Sequence, residues 1–408
     1  MTRDAVIVGA GAAGLAAAIF ARRRRPELPV LLLDGAKKPG AKILVSGGGR
    51  CNVTNSVVTE EDFQGGGRPV VRRILREFDA PRAAAFFREI GVPLHEEPGG
   101  KLFPDSNQAR TVLDALLAEA GRRGVRLLTG RRVTDVRRAG DGFEVVTEEE
   151  SIPARRVVLA TGGMSLPKTG SDGLGYRFAK ALGHSIVPPT PALVPLLLEK
   201  GFHREIAGIS HDVEVSVRVG DGKPERIPGA MLWTHFGVSG PAILDASRIW
   251  LRARLESRPV EVRVRLLPGE TPESIDAWLR AAAVERPTAA PPTVLAGRLP
   301  SRLAERLVVA SGVDPAVRMA HLTREDRRRL VESIGALPLA VSGSRGYNYA
   351  EVTAGGVPLE EVDPRTLESR KCPGLHLVGE ILDVDGRIGG FNFQWSWSTG
   401  WVCAGGLV

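Results

Sequence analysis

The chain has 408 residues, 43% hydrophobic and 25% charged, with 55 basic against 47 acidic residues and a net charge of +8. At about 150 residues per domain this length suggests two or three domains, and the balance excludes disordered, collagen-like and coiled-coil chains. The three cysteines (Cys51, Cys372 and Cys403) make no CxxC and no zinc-type spacing. Disulfide scaffolding and a metal site are therefore not expected, and a reducing, cytoplasmic setting fits. Nine of the basic residues are Lys and the rest Arg. That excess reads either as a coding bias or as an electrostatic footprint for RNA or another polyanion.

The first fifty residues read strand, Gly turn, helix, strand. Ala5–Val8 is an apolar run, residues 9–14 spell GAGAAG, Leu15–Ala21 is helical, and Val30–Leu33 ends on Asp34. In a dinucleotide turn, Gly9 and Gly11 permit the tight turn and close approach to a pyrophosphate. Gly14 permits helix–strand packing, and the N–H groups at Ala12 and Ala13 open the helix. Asp34 would accept from ribose hydroxyls and repel a 2′-phosphate, which disfavours NADP at this turn. The apolar run Ala5–Ala21 is too short for a bilayer core, and its charges at Arg22–Arg25 follow it rather than precede it. No membrane span and no signal peptide is expected. Arg22–Arg25 reads as solvated charge favoured by a helix C-terminus.

Further along, Leu113–Arg123 is helical, and Val125–Leu128 and Val157–Ala160 are buried strands. Val133–Val136 and Phe143–Thr147 flank Gly140-Asp141-Gly142 as a hairpin. After Pro195 the texture changes: Val213, Val215, Val217 and Val219 alternate with polar residues, as do Val260, Val262, Val264 and Leu266, the mark of half-exposed antiparallel strands. Helical patterns follow over Pro272–Glu285, Ser301–Ala310 and Thr323–Ile334, the last opening on a capping-box-like Thr323/Asp326 pair. The expected architecture is α/β: a discontinuous Rossmann-like domain over 1–190 and 338–408, with an inserted β-rich, barrel-like module over 191–270 and a helical module over 271–337.

The C-terminal part separates FAD from NAD. Gly379-Glu380-Ile381-Leu382-Asp383 follows the buried strand Leu375–Val378 and precedes Arg387-Ile388-Gly389-Gly390-Phe391-Asn392-Phe393. A carboxylate after a strand-end Gly suits flavin sugar hydroxyls, and a Gly-Gly turn opening a helix suits the electron-rich edge of a reduced flavin. The bound cofactor expected is FAD.

The run Gly40-Ala41-Lys42-Ile43-Leu44-Val45-Ser46-Gly47-Gly48-Gly49-Arg50-Cys51-Asn52-Val53-Thr54-Asn55 resembles the signature of the BaiN/RdsA family of FAD-dependent oxidoreductases. Matching stretches include Ala160–Gly163 with Ser165, Pro167, Thr169 and Gly170; Pro191–Pro195; Thr234-His235 with Gly237 and Ser239–Pro241; Val352–Val357; and residues 379–383 and 389–395. Phe391 stands where Tyr is usual, and Asp34 replaces the commoner Glu. The resemblance implies a glutathione-reductase-like FAD domain with inserted β-barrel-like and helical modules. It implies FAD contacts from Gly9–Gly14, Asp34, Lys42, the loop with Ser46, Gly47, Gly48, Arg50, Cys51 and Asn52, the Val133 backbone, Thr161, Gly162, and the 379–393 elements. Activities attached to the family include reduction of conjugated bile-acid intermediates, oxidation of aminoacetone, and reduction of a ribosomal RNA uridine to dihydrouridine.

Three residues are candidates for chemistry beside FAD. Cys51 reads as a proton donor if its thiol faces the flavin, with Arg50 favouring its thiolate or binding an anionic substrate, and otherwise as a packed residue of the cradle. His235 reads as an acid or substrate-orienting group, or as a structural residue of a turn. The aromatics Phe391, Phe393, Trp395, Trp397 and Trp401 read as a stacking surface or as helix core. The leading expectation is an NADH- or NADPH-driven reductase acting on uridine in large-subunit ribosomal RNA. The alternatives are a small-molecule reductase or amine oxidase and a flavin-binding redox sensor without turnover.

Overall fold

The computed structural model describes residues 3–199 and 201–408, which divide into two compact units, Met1–Pro191 with Ala350–Val408 and Ala192–Tyr349.

The first unit is built on a seven-stranded sheet. Arg126–Thr129, Val30–Asp34, Arg3–Val8 and Ser151–Leu159 lie side by side and parallel, and Leu375–Leu377 adds in parallel to Ser151–Leu159. Gly142–Thr147 and Val133–Ala139 extend the sheet as the expected antiparallel hairpin. Ala5, Val6, Ile7, Leu32, Leu33, Val157, Val158 and Leu159 are fully buried, because helices cover both faces of a parallel sheet and leave no side for polar residues.

The helix Ala12–Arg24 is buried along Ala13–Ala21. Its small residues admit the C-terminal helix Phe391–Leu407 at very short range: a β-carbon on Gly400 would lie 2.6 Å from the Ala16 β-carbon. The C-terminal aromatics serve mainly as core. Phe391, Trp395 and Trp397 are buried, and Trp401 stacks on Phe78. The run Arg22–Arg25 departs from simple solvated charge. Arg22 Nη1 donates to the Leu28 carbonyl (2.8 Å), Arg23 Nε to Glu119 (2.8 Å), and Arg24 lies over the Trp401 ring.

A three-stranded sheet of Thr54–Asn55, Lys101–Pro104 and Leu94–Glu97, and the helices Arg68–Glu77 and Ala80–Glu89, complete this unit. Both helices are amphipathic and bury one face, Val71, Ile74 and Leu75 in the first and Ala83, Phe86 and Phe87 in the second.

The second unit holds a seven-stranded antiparallel sheet in the order Leu337–Pro338, Val260–Arg265, Ser210–Val219, Glu225–Thr234, Gly237–Ser239, Leu196–Leu198, Val341–Ser344. Val213, Val215 and Val217 point inward, as their alternation requires, against Ala242, Ile243, Ala246 and Trp250 of the helix Pro241–Leu255. The helices Pro272–Glu285, Ser301–Ala310 and Arg324–Gly335 feed Leu279, Leu307 and Ile334 into the same hydrophobic cluster. Thr323 caps the last of these, accepting from the Asp326 N–H at 3.0 Å. Among the described residues no helix is long and apolar enough to cross a membrane, and no group of three His, Cys, Asp or Glu is placed to hold a metal. All three cysteines are free and buried.

Candidate functional site

The first strand ends at Val8, and Gly9 turns the chain at φ +105°. A β-carbon on Gly9 would collide with the Ala160 carbonyl, and one on Gly14 with the Gly9 carbonyl. Both glycines are therefore required by packing. Gly11 is different: nothing lies within 4 Å of the β-carbon position. It caps the helix Ala12–Arg24, whose first turn has no side-chain cap. The leading N–H groups of a helix have no intrahelical partner, and the positive end of the helix dipole lies behind them.

Asp34 stands beside this turn. Its carboxylate accepts from the Ala10 N–H and the Ala36 N–H, both at 2.8 Å. Burial pushes its carboxyl above the usual range, against those two N–H bonds and the nearby Arg132. Val133 is buried in the adjoining hairpin, and the Arg131 N–H bonds the Asp34 carbonyl (2.8 Å).

In the segments expected to touch FAD, the buried atoms Thr161 Oγ1 and Asn52 Oδ1 have no hydrogen-bond partner among the described residues. An open Gly cradle, free helix N–H groups and two orphaned polar atoms fit a bound dinucleotide of the FAD type.

Glu380, Lys42, Ser165 and Thr353 converge in one network. Lys42 Nζ donates to Glu380 Oε2 and to Ser165 Oγ; Ser165 Oγ donates to Glu380 Oε1 (2.8 Å), and so does the Thr353 N–H (2.9 Å). Gly379, at φ +74°, lets Glu380 approach the helix start; a β-carbon there would lie 2.7 Å from that of Ala13. Both oxygens of Glu380 are thus engaged within the protein. Lys42 is held between Glu380 and Ser165, which engage two of its three ammonium N–H groups. Thr353 Oγ1 accepts from the N–H groups of Met164 (2.8 Å) and Ser165 (3.0 Å). Ser165 and Thr353 lie in matched motifs, yet no spacing rule foretold that their hydroxyls would serve Lys42 and Glu380.

The loop 46–52 runs left-handed through Gly47, Gly48, Gly49 and Cys51. Ser46 Oγ donates to the Ile43 carbonyl (2.7 Å). Gly390, at φ +94°, presses this loop onto the terminal helix; a β-carbon there would lie 2.9 Å from Asn52 Oδ1. Asn55 Nδ2 donates to the Gly389 carbonyl (3.1 Å), Thr54 Oγ1 to Gln394 Oε1 (2.6 Å), and Trp397 Nε1 to the Val53 carbonyl (2.8 Å). On the other side of the turn, a β-carbon on Gly162 would lie 2.6 Å from Ser171 Oγ.

The surroundings of four expected site residues bear on their roles. Cys51 is fully buried, and burial pushes its thiol up to about 12, opposed only by a hydrogen bond with Ser46. Arg50 does not activate it. That guanidinium forks onto Glu97 (2.6 and 3.3 Å) and lies over the Phe103 ring (4.0 Å). Asn392 fastens its side chain to the Gly386 backbone, accepting from its N–H and donating to its carbonyl, both at 2.8 Å. Phe391 packs edge-on against Phe63 beneath Arg387. The family's usual Tyr hydroxyl is absent from a wholly buried position.

Phe393 stacks on Trp397 (5.6 Å between centroids). Asp383 accepts from the Gly66 N–H through its carbonyl (2.7 Å). His235 is exposed at a hairpin tip of the second unit, edge-on to Phe236. A buried chain of Ser369, His184 and Glu361 (2.8 and 2.7 Å) has the outline of a nucleophile triad. The Ser369 hydroxyl, however, accepts from the N–H groups of Lys371 and Cys372. It is a loop fastening.

Residues 3–406 match the family model described as HI0933-like protein Rossmann domain. The chain is 34% identical over 396 residues to a 3-dehydro-bile acid delta(4,6)-reductase of Clostridium scindens, covering 97% of both proteins. It is also 34% identical over 409 residues to a ribosomal RNA dihydrouridine synthase of Escherichia coli, covering 99% of this chain and 98% of that one. Among solved structures, an E. coli quinol fumarate reductase chain matches with TM-score 0.50 at 17% identity, over 99% of this chain and 69% of that one, a likeness of fold alone. The chain belongs to the HI0933-like Rossmann family and is an FAD-dependent oxidoreductase.

Proposed function

We propose that this enzyme is an NAD(P)H-driven reductase that saturates a C=C bond conjugated to a carbonyl, and that its substrate is a uridine of large-subunit ribosomal RNA. The end-to-end match to a ribosomal RNA dihydrouridine synthase carries this reading, and a second such relative, from Haemophilus influenzae, is 32% identical over 98% of the chain. The net charge of +8 suits a polyanionic substrate.

When bound, FAD supplies the hydride donor, and the chain supplies position and charge. The Gly9–Gly14 turn and the following helix N-terminus hold the pyrophosphate, Asp34 the ribose hydroxyls, and Lys42, oriented by Glu380, an electron-rich oxygen. The nicotinamide docks transiently, since the sequence holds no second GxGxxG. Cys51 keeps its proton and serves the cradle.

The equal identity to a bile acid reductase favours one second reading, a small conjugated enone as substrate. Anaerobic bleaching of the flavin with NADH and NADPH, followed by ribosomal RNA lacking dihydrouridine, separates the two. Re-oxidation with a two-dalton gain on one uridine supports the RNA reading. Bleaching that RNA does not reverse, but a conjugated enone does, overturns it.

A further inference from the structure

In the second unit, Leu196–Leu198 pairs with Gly237–Ser239 on one side and Val341–Ser344 on the other. This strand brings together the hairpin tip carrying His235 and Phe236 and the turn that follows Ser344. The Leu198 N–H bonds the Phe236 carbonyl (3.1 Å), and the Arg345 N–H the Pro195 carbonyl (3.1 Å). Gly346, at φ +69°, folds the turn back so that the Tyr349 N–H reaches its carbonyl (3.0 Å).

The result is a stack of planar groups. The Arg345 guanidinium lies 3.3 Å from the centroid of the Tyr349 ring and 4.7 Å from that of Phe236, and the His235 ring meets Phe236 edge-on at 5.1 Å. Tyr349 is 49% exposed and His235 is exposed.

The electrostatics of this stack are incomplete. Arg345 is half-buried, yet among the described residues its guanidinium has neither a carboxylate partner nor a side-chain hydrogen bond. A planar cation with five donors, partly withdrawn from water, lacks its acceptors. Stacked on an open tyrosine, it offers N–H edges to oxygen and leaves a ring face for a second flat group.

We infer that His235, Phe236, Arg345 and Tyr349 form a binding site for an unpaired nucleobase of single-stranded RNA and its adjoining phosphate, the base on Tyr349 and the phosphate on Arg345. Unpaired bases are read by stacking on aromatic and guanidinium planes, with backbone contacts from Arg. The inference rests on the RNA reading of the function and adds residues that would select the strand.

The test uses the FAD-loaded enzyme and a fluorescein-labelled, uridine-rich single-stranded oligoribonucleotide, followed by fluorescence anisotropy over a salt series. Arg345→Ala and Tyr349→Leu should each weaken binding about tenfold or more. Arg345→Lys should restore the salt slope without restoring the affinity. Flavin absorbance and melting temperature equal to wild type show that each variant is folded. Wild-type affinity in Arg345→Ala and Tyr349→Leu overturns the inference, while continued dihydrouridine formation would leave the RNA reading standing. An abasic phosphodiester of equal length that binds as tightly as the RNA also overturns it. A wild-type enzyme that neither binds RNA nor gains two daltons on a uridine removes both.

Discussion

Lys42 and Glu380, 338 positions apart in sequence, form an ion pair that is largely shielded from solvent and further fastened by Ser165 and Thr353. The pair ties the segment after the Gly turn to the segment after the last sheet strand, the two stretches expected to hold opposite ends of the flavin's sugar–phosphate chain. Glu380→Gln preserves shape but leaves the ammonium without its counter-charge, at a cost of about 1–3 kcal/mol. We expect a melting temperature lower by a few degrees and a reduced flavin-to-protein absorbance ratio after gel filtration. Unchanged flavin content would remove Lys42 from the cofactor site.

Gly11 and Gly14 should fail in different ways. A β-carbon on Gly11 meets open space, whereas one on Gly14 meets the Gly9 carbonyl. Gly11→Val should therefore fold with near-native melting behaviour and purify colourless, because the methyls occupy the pyrophosphate cradle. Gly14→Val should lose stability whether or not FAD is present. Circular dichroism melts with and without added FAD distinguish the two.

Cys51, with its thiol pushed up to about 12 by burial, should resist iodoacetamide at pH 8 in the native enzyme and react once unfolded. Cys51→Ala should keep turnover within about threefold, with an unchanged pH profile. A fall of about a hundredfold together with loss of one limb of the pH–rate curve would make Cys51 the acid after all.

Glu119 gathers Arg23, Arg122 and Arg123 around a carboxylate whose side chain is 3% exposed, and is held down to about 2. A depressed carboxylate stabilises the fold above its unfolded value near 4.5 and loses that contribution as pH falls toward 2. The amount is on the order of 3 kcal/mol. The melting temperature of Glu119→Gln should lie well below wild type at pH 7, and the gap should close as the pH approaches 2. A gap independent of pH would mean that packing, rather than charge, is at stake.

Much of the fold was legible because its signals are local. The strand Ala5–Val8, the GAGAAG turn and Asp34 lie within thirty residues, and their chemistry depends on backbone geometry that sequence spacing encodes. The alternating valines from Val213 to Val219 and the capped helix at Thr323 are equally local patterns. The fate of individual side chains was not legible, because it depends on which distant groups reach them first. Arg50 is next to Cys51 in sequence but is drawn to Glu97, since a carboxylate and a ring face bind a guanidinium better than a buried thiol does. Glu380 reads as a sugar ligand, yet three groups from elsewhere in the chain occupy it. The C-terminal aromatics read equally as stacking surface or core, and the Ala-rich first helix decided the matter by letting Gly400 approach it. The sequence alone determined that a dinucleotide turn, a flavin-type C-terminus and an antiparallel β-rich insert are present. Only the tertiary structure decided which charges are already partnered and which, such as Arg345, lack an acceptor among the described residues, because ion pairing and burial depend on distances that no sequence separation predicts.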